Sequence, residues 1–190
     1  MKFISFLLNK EAKFGIINNE TITDLTGKIS GANSLKALIE NKGITEAKKY
    51  ASQNAGNIGL KDIEYLPLIP NPGKIICVGL NYSEHVKETN RTVEENPVVF
   101  HRFPESQTAH KQAIQRPIAS HSLDYEGEMA VIMGEGGKHI KPEEALKHII
   151  GYSCYNESTI REWQRHTRQF GMGKNFEKTG SFGPHMVLAE

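Results

Sequence analysis

Cysteine, tryptophan and unbalanced charge are all scarce in this chain. Its 190 residues hold 2 cysteines, Cys77 and Cys154, both inside apolar runs. That excludes a disulfide framework or a cysteine-rich zinc site, and buried free thiols in a reducing compartment are expected. The formal net charge of +1 removes any general reason to expect nucleic acid or an anionic membrane as partner. A local basic stripe, Arg161, Arg165, His166 and Arg168, reads either as a solvated helix face or as a phosphate contact. No long hydrophobic run occurs. The apolar part of the opening segment, Phe3 to Leu8, ends at Asn9-Lys10-Glu11 without a small-residue cleavage site. It is too short for a signal-peptide core or a membrane span, so it reads as a first β-strand and the protein as cytoplasmic. Internal repeats and low-complexity tracts are absent too.

What is present is strand-rich. Phe3 to Leu8, Phe14 to Ile17 and Thr21 to Leu25 alternate in strand fashion, separated by polar turns, and predict a small meander. Short helices are expected near Ser34 to Glu40, with Ser34 as N-cap, and Thr45 to Gln53. Leu66 to Gly73 is rich in proline and marks a boundary. The division is therefore a small α+β domain over 1–66, a linker over 67–73 and a second domain over 74–190. Further strands are expected at Lys74 to Gly79, Pro97 to Phe100, Met129 to Met133 (as a buried strand) and Gly151 to Tyr155. Helical character is expected over 81–96, and a helix from Pro142 to Ile150. Thr159-Ile160-Arg161-Glu162 has the pattern of a capping box for a helix to about Arg168. Residues 104–121 lack a period and read as a long loop.

The chemistry-bearing residues begin with Glu126 and Glu128, which alternate onto one face of a strand with Cα atoms about 6.5 Å apart. Two acids where the chain enters a core are costly unless a cation lies between them; the alternative is a solvated strand end. His85 and Glu88 share a helix face, as a carboxylate-oriented base would, or as a surface ion pair. Glu157 follows a strand and could complete a set of carboxylate oxygens, or merely favour a helix N-terminus. Arg161 and Gln164 lie three apart on the next helix, and arginine pairs well with a carboxylate. Lys174, in Gly171-Met172-Gly173-Lys174, could offer charge to a developing enolate, or be a solvated loop lysine.

In this order the motifs closely resemble those of the fumarylacetoacetate hydrolase superfamily, from about residue 74 onward. Its G-L-N-Y-x-x-H-x-x-E motif is matched by Gly79 to Glu88, and its D-Y-E-x-E-L-A-V strand by Asp124 to Val131. Its G-Y-x-x-x-N-D-x-S-x-R-D-W-Q segment is matched by Gly151 to Gln164, and its lysine segment by Gly173 to Pro184. The resemblance implies an α+β protein whose main part is a β-rich mixed roll, preceded by a small α+β domain. It implies Mg2+ or Mn2+, with Ca2+ a further option, held by Glu126, Glu128 and Glu157. His85, Glu88 and Lys174 become catalytic, and Arg102, Arg161 and Gln164 become substrate contacts. The implied activity is metal-dependent cleavage of small 2-oxo or 1,3-dicarbonyl acids through an enolate, of acylpyruvate type and suited to aromatic compound catabolism. Isomerase or decarboxylase chemistry, or a non-catalytic metal-binding homologue needing a partner chain, are the alternatives. A small oxo-acid substrate and a homodimer are expected, without nucleic acid or membrane. Two departures stand out. Glu157 occupies the place of an aspartate and is one methylene longer. The chain also ends at Glu190, where family members continue to a T-G-T-P-x-G loop with no equivalent here, so an incomplete C-terminus is expected.

Overall fold

The computed structural model describes residues 1–82 and 96–189. The expected meander forms: β1 (Lys2–Leu8), β2 (Glu11–Asn18) and β3 (Thr21–Asp24) pair antiparallel in sequence. Two helices follow, α1 (Leu35–Glu40) and α2 (Ile44–Gln53). Ser34 caps α1 as expected, its Oγ accepting from the Ala37 N–H at 3.2 Å. Leu35, Leu38 and Ile39 share the buried face of α1, following the helical repeat. They pack with Phe3, Phe14 and Ile16 of the meander.

Two short strands, β4 (Ile58–Gly59) and β5 (Glu64–Tyr65), lead to β6 (Ile75–Gly79) and β7 (Val98–Arg102), which form a two-stranded ribbon. Residues 104–121, expected as loop, contain a 3-10 turn at Pro104–Ser106 and β8 (Gln107–Ala109). The order continues through β9 (Leu123–Asp124), β10 (Gly127–Met133), β11 (Ile149–Glu157) and β12 (Thr159–Ile160). Then come α3 (Arg161–Arg165), α4 (Gly171–Lys174), β13 (Gly180–Phe182) and β14 (Met186–Leu188). Pro142 opens a 3-10 turn, Pro142–His148, in place of the expected helix. The helical character expected over 81–96 falls largely outside the described residues.

Strand β14 closes the architecture. Val187 stands opposite Lys2 of β1 and also opposite Tyr152 of β11, so one short strand joins the meander to the later hairpin. Beyond it, β13 pairs with the end of β11 on one side and, in parallel, with β8 on the other. Among the described residues the result is a curled mixed sheet of ten strands. Segments on either side of Leu66 to Gly73 thus share one sheet, and Phe3 lies in one apolar cluster with Tyr155, Phe182 and Met186.

Two expectations about burial are corrected. Met129 to Met133 is not buried throughout: Ile132 is 5% exposed, whereas Met129 and Met133 are 62% and 54% exposed. Within the described sheet β10 pairs only with β11 and packs one face on the core, so its side chains alternate inward and outward. Cys154 stands opposite Met129 on the outward face and is exposed, while Cys77 is half-buried. Among the described residues no helix is long and apolar enough to cross a membrane.

Candidate active site

The β10–β11 ladder begins at Gly127 opposite Asn156, and its register continues one step further. The Glu157 N–H donates to the Glu126 carbonyl at 2.8 Å, and the Glu126 N–H donates to Asn156 Oδ1 at 3.1 Å. Glu126 and Glu157 therefore face each other at the mouth of the hairpin. Directly opposed like charges in a sheet repel unless a cation is placed between them.

That cation is Lys174. Its side chain is 2% exposed, and its Nζ lies 2.7 Å from Glu126 Oε2 and 3.0 Å from Glu157 Oε2. The ammonium also lies 4.9 Å from the centre of the Phe100 ring. Gly173 permits the approach of α4 to α3, since a Cβ there would fall 2.5 Å from the Gln164 nitrogen and 2.6 Å from the Ile160 oxygen.

The outer oxygen of each glutamate is tied separately. Glu126 Oε1 accepts from Thr159 Oγ1 at 2.8 Å and from an Arg161 terminal nitrogen at 2.6 Å. Arg161 also donates through Nε to Asp124 Oδ2 at 2.8 Å and through Nη1 to Gln164 Oε1 at 3.1 Å. Glu157 Oε1 takes Arg102 at 3.3 Å. Burial alone would raise the pKa of Glu126, but Lys174, Thr159 and Arg161 hold it below the ordinary glutamate value. Burial dominates at Glu157 and lifts its pKa, with the Glu126 charge adding to the rise and Lys174 opposing it. Beneath them the Cys77 thiol is pushed up to about 12, chiefly by burial and then by the Glu157 charge.

A cleft of about 640 Å³ opens on this centre, lined by Glu126, Glu128, Glu157, Arg161, Gln164 and Lys174 among others. Six of the nine expected site residues thus share one wall. Glu128 is half-buried, and its charge raises the pKa of the Tyr82 hydroxyl, which lines the same cleft. His85 and Glu88 lie outside the described residues.

Arg102 is a correction. Expected to touch substrate, its side chain is instead 0% exposed and turned into protein behind Glu157. Arg102 shares the inward face of β7 with Phe100, which lines the cleft, but its guanidinium is taken up by Ser106, the Ser158 carbonyl, Thr179 and Glu157. Thr159 is a second correction. Its hydroxyl goes to Glu126 instead of capping a helix, because Thr159 lies in β12 opposite Asp124. The helix that follows is only Arg161–Arg165, with no side-chain cap. Asp124, which steers Arg161, went unassigned in the sequence, although it alternates in step with Glu126 and Glu128.

Among the described residues no three His, Cys, Asp or Glu side chains are gathered into a ready-made metal cluster. The donors nevertheless fit a hard divalent cation in kind. Glu126 and Glu157 each turn one oxygen toward a shared positive charge, and Glu128 lines the same cleft.

A curled mixed sheet that presents opposed carboxylates bridged by a buried lysine at one cleft defines the class of protein. The chain belongs to the fumarylacetoacetate hydrolase family, residues 74–190 matching the model of its fumarylacetoacetate (FAA) hydrolase C-terminal domain. The mitochondrial oxaloacetate tautomerase of Xenopus laevis is 35% identical over 146 residues, covering 76% of this chain and 46% of that protein. A solved fumarylacetoacetate hydrolase from Exiguobacterium antarcticum superposes with a TM-score of 0.78 at 30% identity, over 99% of this chain and 66% of that one. A Sphingobium maleylpyruvate hydrolase, solved with manganese(II) and pyruvate, shares the fold with a TM-score of 0.79 at 19% identity, over 100% of this chain and 67% of that one. The chain spans about half the length of the Xenopus relative. The expected β-rich mixed roll is the fold of these neighbours.

Proposed function

We propose that this chain carries the acid-lined site of a divalent-metal enzyme acting on small 2-oxo or 1,3-dicarbonyl acids through an enolate. One observation carries the reading: a fully buried ammonium, Lys174, held between the inner oxygens of Glu126 and Glu157 on the wall of a polar cleft. Held by Glu126, Glu128 and Glu157, magnesium or manganese would supply Lewis-acid polarisation of the substrate's oxo-acid oxygens. The family's Sphingobium member, solved with manganese and pyruvate, supports that ligand class.

The chain's own groups supply the rest. Two of the three Lys174 N–H donors are engaged by glutamate, leaving one to stabilise an enolate oxygen. Gln164 gives its carbonyl oxygen to Arg161 and keeps its amide N–H groups for a substrate carboxylate or carbonyl. Arg161 is held by Asp124 and Glu126 at one wall of the cleft, where it fixes the carboxylate end of the substrate. His85, with Glu88 three residues on in the sequence, supplies the base in this reading. In acylpyruvate cleavage it takes a proton from water, whose oxygen bonds to the distal carbonyl carbon. The bond from that carbon to the methylene breaks, its electrons form the enolate of pyruvate, and protonation of the methylene carbon completes the step.

A second reading needs no water. In keto–enol exchange, the same base removes a proton from the carbon beside the 2-oxo group and the carbonyl oxygen gains one. The tautomerase name of the Xenopus relative favours it. A small oxo-acid and a second copy of the chain are the partners this reading proposes. The test is turnover of acylpyruvates and of oxaloacetate enol by the full chain with added Mg2+ or Mn2+. Turnover lost in His85→Ala supports the reading. A folded, metal-loaded protein that turns over neither substrate, or full activity in His85→Ala, sinks it.

A further inference from the structure

We propose that Arg102 is a positioning residue that fixes Glu157 so that only one of its carboxylate oxygens reaches the cleft. The proposal rests on the metal reading given above and concerns how the third carboxylate is presented.

The guanidinium is a fork fastened at its back. Nε donates to Ser106 Oγ at 3.2 Å, Nη1 to the Ser158 carbonyl at 3.2 Å and Nη2 to Thr179 Oγ1 at 2.9 Å. Both hydroxyls have already committed their single proton, Ser106 to the Phe103 carbonyl and Thr179 to the Phe176 carbonyl, each at 2.7 Å. They can therefore face Arg102 only as acceptors, which fixes the polarity of the arrangement. Gly180 keeps the slot open, since a Cβ there would lie 2.8 Å from Nη2. The Tyr155 ring lies 5.8 Å from the guanidinium carbon.

What Nη1 has left goes to Glu157 Oε1 at 3.3 Å, while Oε2 meets Lys174 at 3.0 Å. Glu126 is arranged alike, with Oε1 tied to Thr159 and Arg161 and Oε2 turned to Lys174. Each carboxylate thus offers one oxygen to the centre. A glutamate side chain has three torsions to fix, and a rigid cationic fork on its outer oxygen selects one conformation. Groups that orient a metal ligand from behind commonly matter tenfold or more for affinity.

The experiment is a double-mutant cycle on Mn2+ affinity, read by electron paramagnetic resonance on the full chain with Arg102→Lys, Glu157→Gln and both. Lysine keeps the charge but cannot span three acceptors. Arg102→Lys is expected to weaken Mn2+ binding roughly tenfold, and to cost nothing more once Glu157 is glutamine. An unchanged affinity in Arg102→Lys, or an equal loss with and without the Glu157 carboxylate, overturns the proposal. Should Arg102→Lys not fold, Thr179→Val, which loosens one anchor, carries the same cycle. If the wild-type chain binds no Mn2+, the metal reading fails by itself, and thermal unfolding decides the positioning. Additive losses for Arg102→Lys and Glu157→Gln then overturn it, and a shared loss supports it.

Discussion

Glu126 and Glu157 face each other across the mouth of the β10–β11 hairpin, joined by a backbone hydrogen bond of 2.8 Å and by one ammonium between their side chains. The site's predicted behaviour follows from that opposition.

Replacing Lys174 by methionine leaves two buried carboxylates confronting each other. Breaking a buried pair in this way costs about 3–5 kcal/mol. Urea denaturation should show that loss, and Mn2+ should recover part of it by taking over the positive charge. Wild-type stability in Lys174→Met would contradict the bridging role.

Metal should stabilise the chain. At one hundred times the dissociation constant the gain is about 2.7 kcal/mol, which for a protein of this size raises Tm by roughly 5–10 °C. The rise should vanish on chelation and in the double variant Glu126→Gln, Glu128→Gln. An equal rise in that variant would place the metal elsewhere.

Gly173→Ala drives a methyl group against backbone atoms of Ile160 and Gln164, which cannot swing away. Overpacking of this kind costs about 1–3 kcal/mol. Because Lys174 is the next residue, turnover should fall together with stability. A variant as stable and as active as wild type would show that α3 and α4 can part freely.

The two thiols should differ in reactivity in the folded chain. Cys154 is exposed and should alkylate readily there. Cys77 titrates at about 12, mainly through burial. A raised pKa means the thiolate is scarce below that pH, so Cys77 should stay unlabelled in the native chain up to about pH 10 and react on unfolding. Mass spectrometry of iodoacetamide-treated protein reads both. Equal labelling of the two in the folded state would refute the burial argument.

Local pattern carried far into this fold. The meander, the capped helix behind Ser34 and the strand after Glu126 follow from alternation, the helical repeat and turn chemistry, which depend on near neighbours. Pattern was a weaker guide to burial. An apolar run such as Met129 to Met133 has the same composition whether one face or both are covered, and only its place at the margin of the described sheet exposes Met129 and Met133.

The amino-acid sequence by itself determined which groups this site has: paired glutamates in alternation, a third acid after a strand, an arginine–glutamine pair and a lysine among glycines. Their spacing and order were enough to point to the family. Only the tertiary structure decided how they meet. Glu126 and Glu157 became opponents through strand register, Lys174 became their bridge through the docking of α4, and Thr159 turned from a helix cap into a glutamate donor. Arg102 left the cleft for a buried slot behind Glu157. Each of these is a contact between segments far apart in the chain, set by pairing and packing, and local spacing holds no information about which distant segment fills the other side.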